Sequence, residues 1–255
     1  MASNDVKLGL GRQTGMFFHA PKGTALPEYP VDPAIVGENG DGTTTETFTA
    51  TAAQTDFTLG YTPNAIASVK VNGKATTAYT VSGNTLTYSG DELQDNDVVE
   101  VTVYVSAWKR AGDVTSDGIT LTMDKSTEDL KNWANKIKRS IMSEHTESIS
   151  CPIMDTTEET MKIVVGERNV NITPANANHG KLIAVNLSDS SLPDEEAFLF
   201  LMKDGDDAIA IGCEDGQITE VSDVTFAPES AINWTTTIKG LGNGWQMILD
   251  DGQTI

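Results

Sequence analysis

The dipeptide Asn72-Gly73 stands between two stretches rich in strand-forming residues, and it obliges the chain to double back on itself. Both residues tolerate the positive φ angles of a tight hairpin turn, so a sheet must form around them. Before it, Ile66, Ser68 and Lys70 alternate with Ala67, Val69 and Val71. A second turn signal follows at Ser82-Gly83-Asn84, and beyond it Val99, Val101, Val103 and Val105 line one face of a further strand. Residues 43–106 thus read as five or six short strands without a long helix, a small β-sandwich or barrel.

The segments on either side have a different character. "GMFFHAPKGTALP" and the Pro-rich "EYPVDPAIVGENGDG" precede this unit, and "AWKRAGDVTSDGITLTMD" follows it. The organisation expected is a domain made of 1–42 and 107–255, interrupted by an inserted β domain at 43–106. Surface turns at the ends of a sandwich tolerate such insertions. The later segments "KLIAVNLS", "EAFLFLMKDG", "AIAIGC", "ITEVSDVTFAP" and "WQMILDDG" are strand-like, separated by Asp, Gly and Asn turns. The fold class expected is therefore mainly β with a flanking short helix. That helix is "DTTEETMKIVVG", capped by Thr156 or Thr157, acidic in its first turn and closed by Gly166.

Charge excludes some functions. A formal net charge of −20 argues against a protein that grips nucleic acid, because such binding replaces phosphate counterions with Lys and Arg. An acidic surface serves either solubility or the passage of DNA without adhesion. No window holds the roughly 18 apolar residues of a membrane helix, and "MASNDVKLGLGRQTG" lacks a signal core, so no membrane insertion and a cytosolic start are expected.

Catalytic patterns are not found. His19, His145 and His179 are well spread and match no metal-binding spacing. Gly9, Gly11 and Gly15 miss the spacing of a nucleotide loop and read as a flexible arm. Asp91, Glu92, Asp95, Asp97 and Glu100, and Asp204, Asp206 and Asp207, read as solvated turns rather than calcium loops. Cys151 and Cys213 read as buried thiols. Trp108, Trp133, Trp234 and Trp245 read as core or interface anchors. The expectation is no enzyme, no cofactor and no metal.

One segment runs against the acidic background. Lys125, Lys131, Lys136, Lys138 and Arg139, five of the 17 basic residues, gather beside Trp133. Ser126 and Asp129 resemble a capping box, and Leu130, Trp133, Ala134 and Ile137 share a helical face, so a short amphipathic helix is expected over 126–139. Past Arg139 the period becomes that of a strand, with Ile141, Ser143, His145, Glu147, Ile149, Cys151 and Ile153 on one side. Both its faces are mixed, which leaves part of it to face a partner or a water-filled lumen. Contacts between acidic copies need a basic patch to meet an acidic one. Lys131, Lys136, Lys138 and Arg139, with Trp133 packed inward, are the candidate subunit interface.

The order of "GMFFHAPKGTALP", "WKRAGDVTSDGITLTMD", the Trp133 segment with "KRSIMSEHTESISCPIMD", and "TTEETMKIVVG" resembles the major tail tube proteins of long, non-contractile phage tails. The likeness covers 15–33 and 108–174. It implies a β-sandwich or barrel with a flanking helix, whose copies join into rings, usually of six subunits, that stack into a hollow tube. The implied setting is the virion tail, assembled in the host cytoplasm. The implied partners are further copies of the chain, the tape measure protein and the tail-tip and terminator proteins, with double-stranded DNA passing through an acidic lumen. Residues 52–88 resemble the small immunoglobulin-like sandwich appended to phage tail and neck proteins, which would sit outside the tube. A second reading of the residues is a soluble β-sandwich module that recognises host-surface carbohydrate or a receptor through 43–106.

Overall fold

The computed structural model describes residues 14–37, 39, 42–175, 178–189, 191–204, 207–226 and 232–251. Gly9, Gly11, Asp206 and positions 38, 40 and 41 of the Gly/Asn/Asp linker lie outside them. In chain order the elements are β1 (Thr14–Pro21), α1 (Pro33–Val36), β2 (Thr43–Thr49), β3 (Asp56–Thr58), β4 (Ala65–Val71), β5 (Lys74–Ala75), β6 (Tyr79–Ser82), β7 (Thr85–Tyr88), β8 (Val98–Tyr104), β9 (Lys109–Asp113), β10 (Thr120–Lys131), β11 (Ile137–Ile153), α2 (Glu158–Val165), β12 (Val170–Thr173), β13 (Leu182–Val185), β14 (Glu196–Asp204), β15 (Asp207–Val221), β16 (Trp234–Gly240) and β17 (Gln246–Asp250). The chain is mainly β and divides into two compact units, Pro27–Arg110 and the remainder.

In the 27–110 unit, a four-stranded sheet β2-β8-β4-β5 and a three-stranded sheet β3-β7-β6 form a sandwich. Asn72 and Gly73 take φ values of 49° and 78° and turn β4 into β5, as their residue types require. Val99, Val101 and Val103 of β8 are fully buried against Phe57, Leu59 and Leu86. The simple alternation expected in β4 is broken by a bulge between Ile66 and Ser68. The extra residue lets Ile66 and Val69 both pack into this core, although an unbroken strand would place them on opposite faces.

The other unit is built on one sheet, in the order β10-β11-β16-β15-β14-β1-β9, with β17 beside the first half of β15. Phe17 stacks on Phe200 at 4.6 Å between ring centres, and Phe198, Ile149, Cys151, Ile153, Ile211, Cys213 and Ile238 complete the core. In β14 the run from Ala197 to Leu201 is buried throughout, the pattern of a strand covered on both faces. "AIAIGC" and "ITEV", read from sequence as separate strands, form the single strand β15. Both thiols are buried, and burial raises both pKa values, that of Cys213 to about 12.

Helix α2 forms where its capping residues predict. Thr157 Oγ1 accepts from the Thr160 amide at 3.2 Å, Glu158 and Glu159 occupy the positive N-terminal turn, and Gly166 ends the helix at φ 87°. The β-branched Ile163 and Val164 disfavour a helix in isolation, yet with Met161 they enter the core, and packing outweighs propensity. His19 of β1 is buried beneath this helix. Its Nδ1 lies 2.8 Å from Glu196, and its Nε2 lies 3.4 Å from Glu159, an ion-pair distance without hydrogen-bond alignment.

The helix expected over 126–139 does not form. Its residues belong to β10, a turn and β11. The two asparagines decide the outcome, because Asn135 adopts φ 58° and the Asn132 side chain accepts from the Lys136 amide at 2.9 Å, closing a tight turn. Leu121 and Ile149 pair across the base of the resulting hairpin and pack in the core, anchoring both strands.

Candidate subunit interface

Among the described residues β11 pairs with β16 only over 148–153, and β10 pairs with no strand except β11. Residues 122–147 therefore continue past the sheet as a two-stranded ribbon, about 30 Å long at 3.4 Å per residue. A lone ribbon of this kind is marginally stable in water. Apart from Asn132, every residue of its outer part, 122–131 and 133–140, is exposed.

Cross-strand partners share a face, so the register assigns the side chains. Met123 faces Glu147, Lys125 faces His145, Thr127 faces Met142 and Lys131 faces Ile137. Shifts of register beside Ser126 and Leu130 leave Ser143 and Lys138 unpartnered in the ladder, and each reverses the facing of the residues beyond it. Met123, Met142 and Ile137 consequently continue the face of Leu121 and Ile149. All three are more than half exposed, an apolar stripe left uncovered among the described residues. Ile141, expected on the Ile149 face, lies on the opposite one with Glu128, Leu130 and Arg139.

The sequence-selected residues are thus gathered at one end of the ribbon. Lys131 ends β10, Trp133 and Lys136 belong to the turn, and Lys138 and Arg139 begin β11. Among the described residues none of the four basic side chains forms an ion pair. The inward packing expected of Trp133 is wrong: its ring projects from the turn and is fully exposed. A five-residue turn has no interior to receive it. Trp108 and Trp234 are buried, Trp245 packs on Phe200, and only Trp133 of the four is left wholly in water. Sequence reasoning missed the stripe of Met123, Ile137 and Met142, because two register shifts disguise its period.

No metal-binding group of three His, Cys, Asp or Glu side chains occurs among the described residues, nor does any helix long and apolar enough to cross a membrane. No curated protein matches the chain. A family model described as phage tail tube protein matches residues 94–244, more than half of the sequence, from the last strand of the 27–110 unit through the ribbon, α2 and β16. The chain belongs to the phage tail tube proteins and is a structural component of the virion tail.

Proposed function

We propose that copies of this chain assemble into rings, six to a ring, which stack into the hollow tube through which double-stranded DNA leaves the virion. The ribbon of β10 and β11 is the contact between copies. The observation that carries this reading is the ribbon itself: Trp133 and the stripe of Met123, Ile137 and Met142 are large apolar groups on an element that the described residues leave without support. Apolar surface held in water in this way marks a protein contact. Lys131, Lys136, Lys138 and Arg139 lie beside Trp133 and offset the repulsion between acidic copies.

In this account the tape measure protein occupies the growing lumen, tail-tip and terminator proteins bound the two ends, and assembly takes place in the host cytoplasm. The net charge of −20 lets DNA slide through without adhering. Residues 43–106 are an insertion displayed outside the tube, and the protein works without catalysis. The test is electron microscopy of the concentrated protein, with and without tail-tip complexes as seeds. Hollow tubes are expected from the wild type, and the variant K138E/R139E should remain folded but fail to extend them. Normal tubes from that variant would remove the basic cluster from the interface.

A further inference from the structure

The same unit carries a groove that the fold does not fill. It lies between the end of α2, residues 186–189 and 191–193, and the last residues of β15, and encloses about 310 Å³. Leu187 and Leu192 line it with 72% and 50% of their surface exposed, and Val221 and Ile218 complete its apolar wall. The residues from 191 to 194, with Asp189, are firmly held. The Arg168 guanidinium donates to Asp189 at 3.0 Å, to Asp194 at 3.3 Å, to the Leu192 carbonyl at 2.8 Å and to Ser191. Gln217 donates to the Pro193 carbonyl at 3.0 Å and ties the loop to β15. So many bonds spent holding two leucines in water are explained if another molecule covers them.

The rim of the groove is acidic. Asp189 accepts hydrogen bonds from Ser191, Asn169 and Arg168, which hold its carboxyl well below the usual range and keep it ionised. Glu220 lines the groove as a second carboxylate, and Arg168, which binds both Asp189 and Asp194, is already engaged. The ribbon tip has the complementary character: one exposed aromatic ring with four basic residues within six positions of it in the chain. Within a single chain the two remain apart, since both Trp133 and the leucines face water.

We propose that the groove of one copy receives the ribbon tip of a second copy, with Trp133 seated against Leu187, Leu192 and Val221 and the Lys/Arg cluster set over Asp189 and Glu220. This rests on the reading of the ribbon as a contact between copies and names the surface that accepts it. The contact is head to tail, because groove and tip are different surfaces, and so it can propagate around a ring or along a tube.

The test places one thiol at each surface. Ala134 and Ser188 are exposed, and Ser188 adjoins Leu187 without lining the groove, so A134C/S188C should preserve the fold and leave Trp133 and its seat in place, while Cys151 and Cys213 are too buried to react. A short bismaleimide should join the assembled protein into a ladder of covalent multimers, while dispersed protomers and either single-cysteine variant give none. Tubes that form normally yet yield only monomers would overturn the groove as the acceptor and leave tube formation itself standing. A wild type that makes no tubes when seeded would overturn both. A charge exchange provides a second readout: E220K should raise the concentration needed for growth about fivefold, and K138E added to it should restore most of the loss. Growth of E220K at the wild-type concentration would equally overturn the proposal.

Discussion

Replacing Trp133 by alanine separates a folding role from an assembly role more cleanly than any other single change. The ring is fully exposed and touches no core residue, so its removal should alter protomer stability by no more than about 0.5 kcal/mol, the range of ordinary surface substitutions. At an interface the same ring has about 150–250 Å² to bury. At about 25 cal/mol per Å² this is an upper value of about 4 to 6 kcal/mol. Ordering of the tip and desolvation of the basic side chains around it reduce the net, and a central tryptophan anchor commonly retains at least about 2 kcal/mol. The critical concentration for tube growth should therefore rise at least about 30-fold. Thermal unfolding of the dispersed protomer gives the first quantity, and pelleting of tubes over a concentration series gives the second. Unchanged critical concentration would refute the assignment of Trp133 to a contact. A protomer destabilised by several kcal/mol would show that the ring supports the fold in a way its exposure does not reveal.

Three further outcomes follow from the core and the caps. Burial lowers the pKa of His19, but Glu159 and Glu196 together outweigh it and leave the folded value above the ordinary 6.5. The stabilisation from its charge is thus complete below the unfolded pKa and lost as pH rises through the folded one, so the melting temperature should fall across that window in the wild type and much less in H19Q. Leu86 is fully buried in the core of the 27–110 unit, and L86A should cost about 2 to 5 kcal/mol, lowering one of two calorimetric transitions of the full chain while sparing the other. T157A removes the cap of α2 and should cost about 1 kcal/mol in denaturant unfolding, and T157S should recover most of it.

Much of this architecture is legible in the residues, and the exceptions have physical causes. Asn72-Gly73, the valine alternation of β8 and the Thr157-to-Gly166 frame of α2 are local signals that tertiary packing reinforces. The ribbon is different. Leu130, Trp133, Ala134 and Ile137 have helical spacing, but Asn132 and Asn135 form a turn, and a dozen residues on either side gain cross-strand partners that a short helix would forgo. The gathering of Lys131, Lys136, Lys138 and Arg139 beside Trp133 is legible because it depends on composition alone. Their placement on a hairpin tip is not, and neither is the apolar stripe, since the register shifts at Ser143 and Lys138 reverse facing without leaving a mark in the sequence. The groove beside Arg168 depends on side-chain bonds spanning more than twenty positions, for which no local pattern exists.

Amide hydrogen exchange over 122–131 and 137–147, measured on dispersed protomer and on assembled tube, tests the central claim most directly. In the protomer these amides belong to an unsupported two-stranded ribbon and should exchange fast compared with those of β14, buried in the middle of the sheet. Assembly covers the ribbon with a second copy, so its amides should become strongly protected in the tube while those of β14 change little. Ribbon amides that exchange equally fast in both states would contradict the account, because the element on which it rests would then be free in the finished tail.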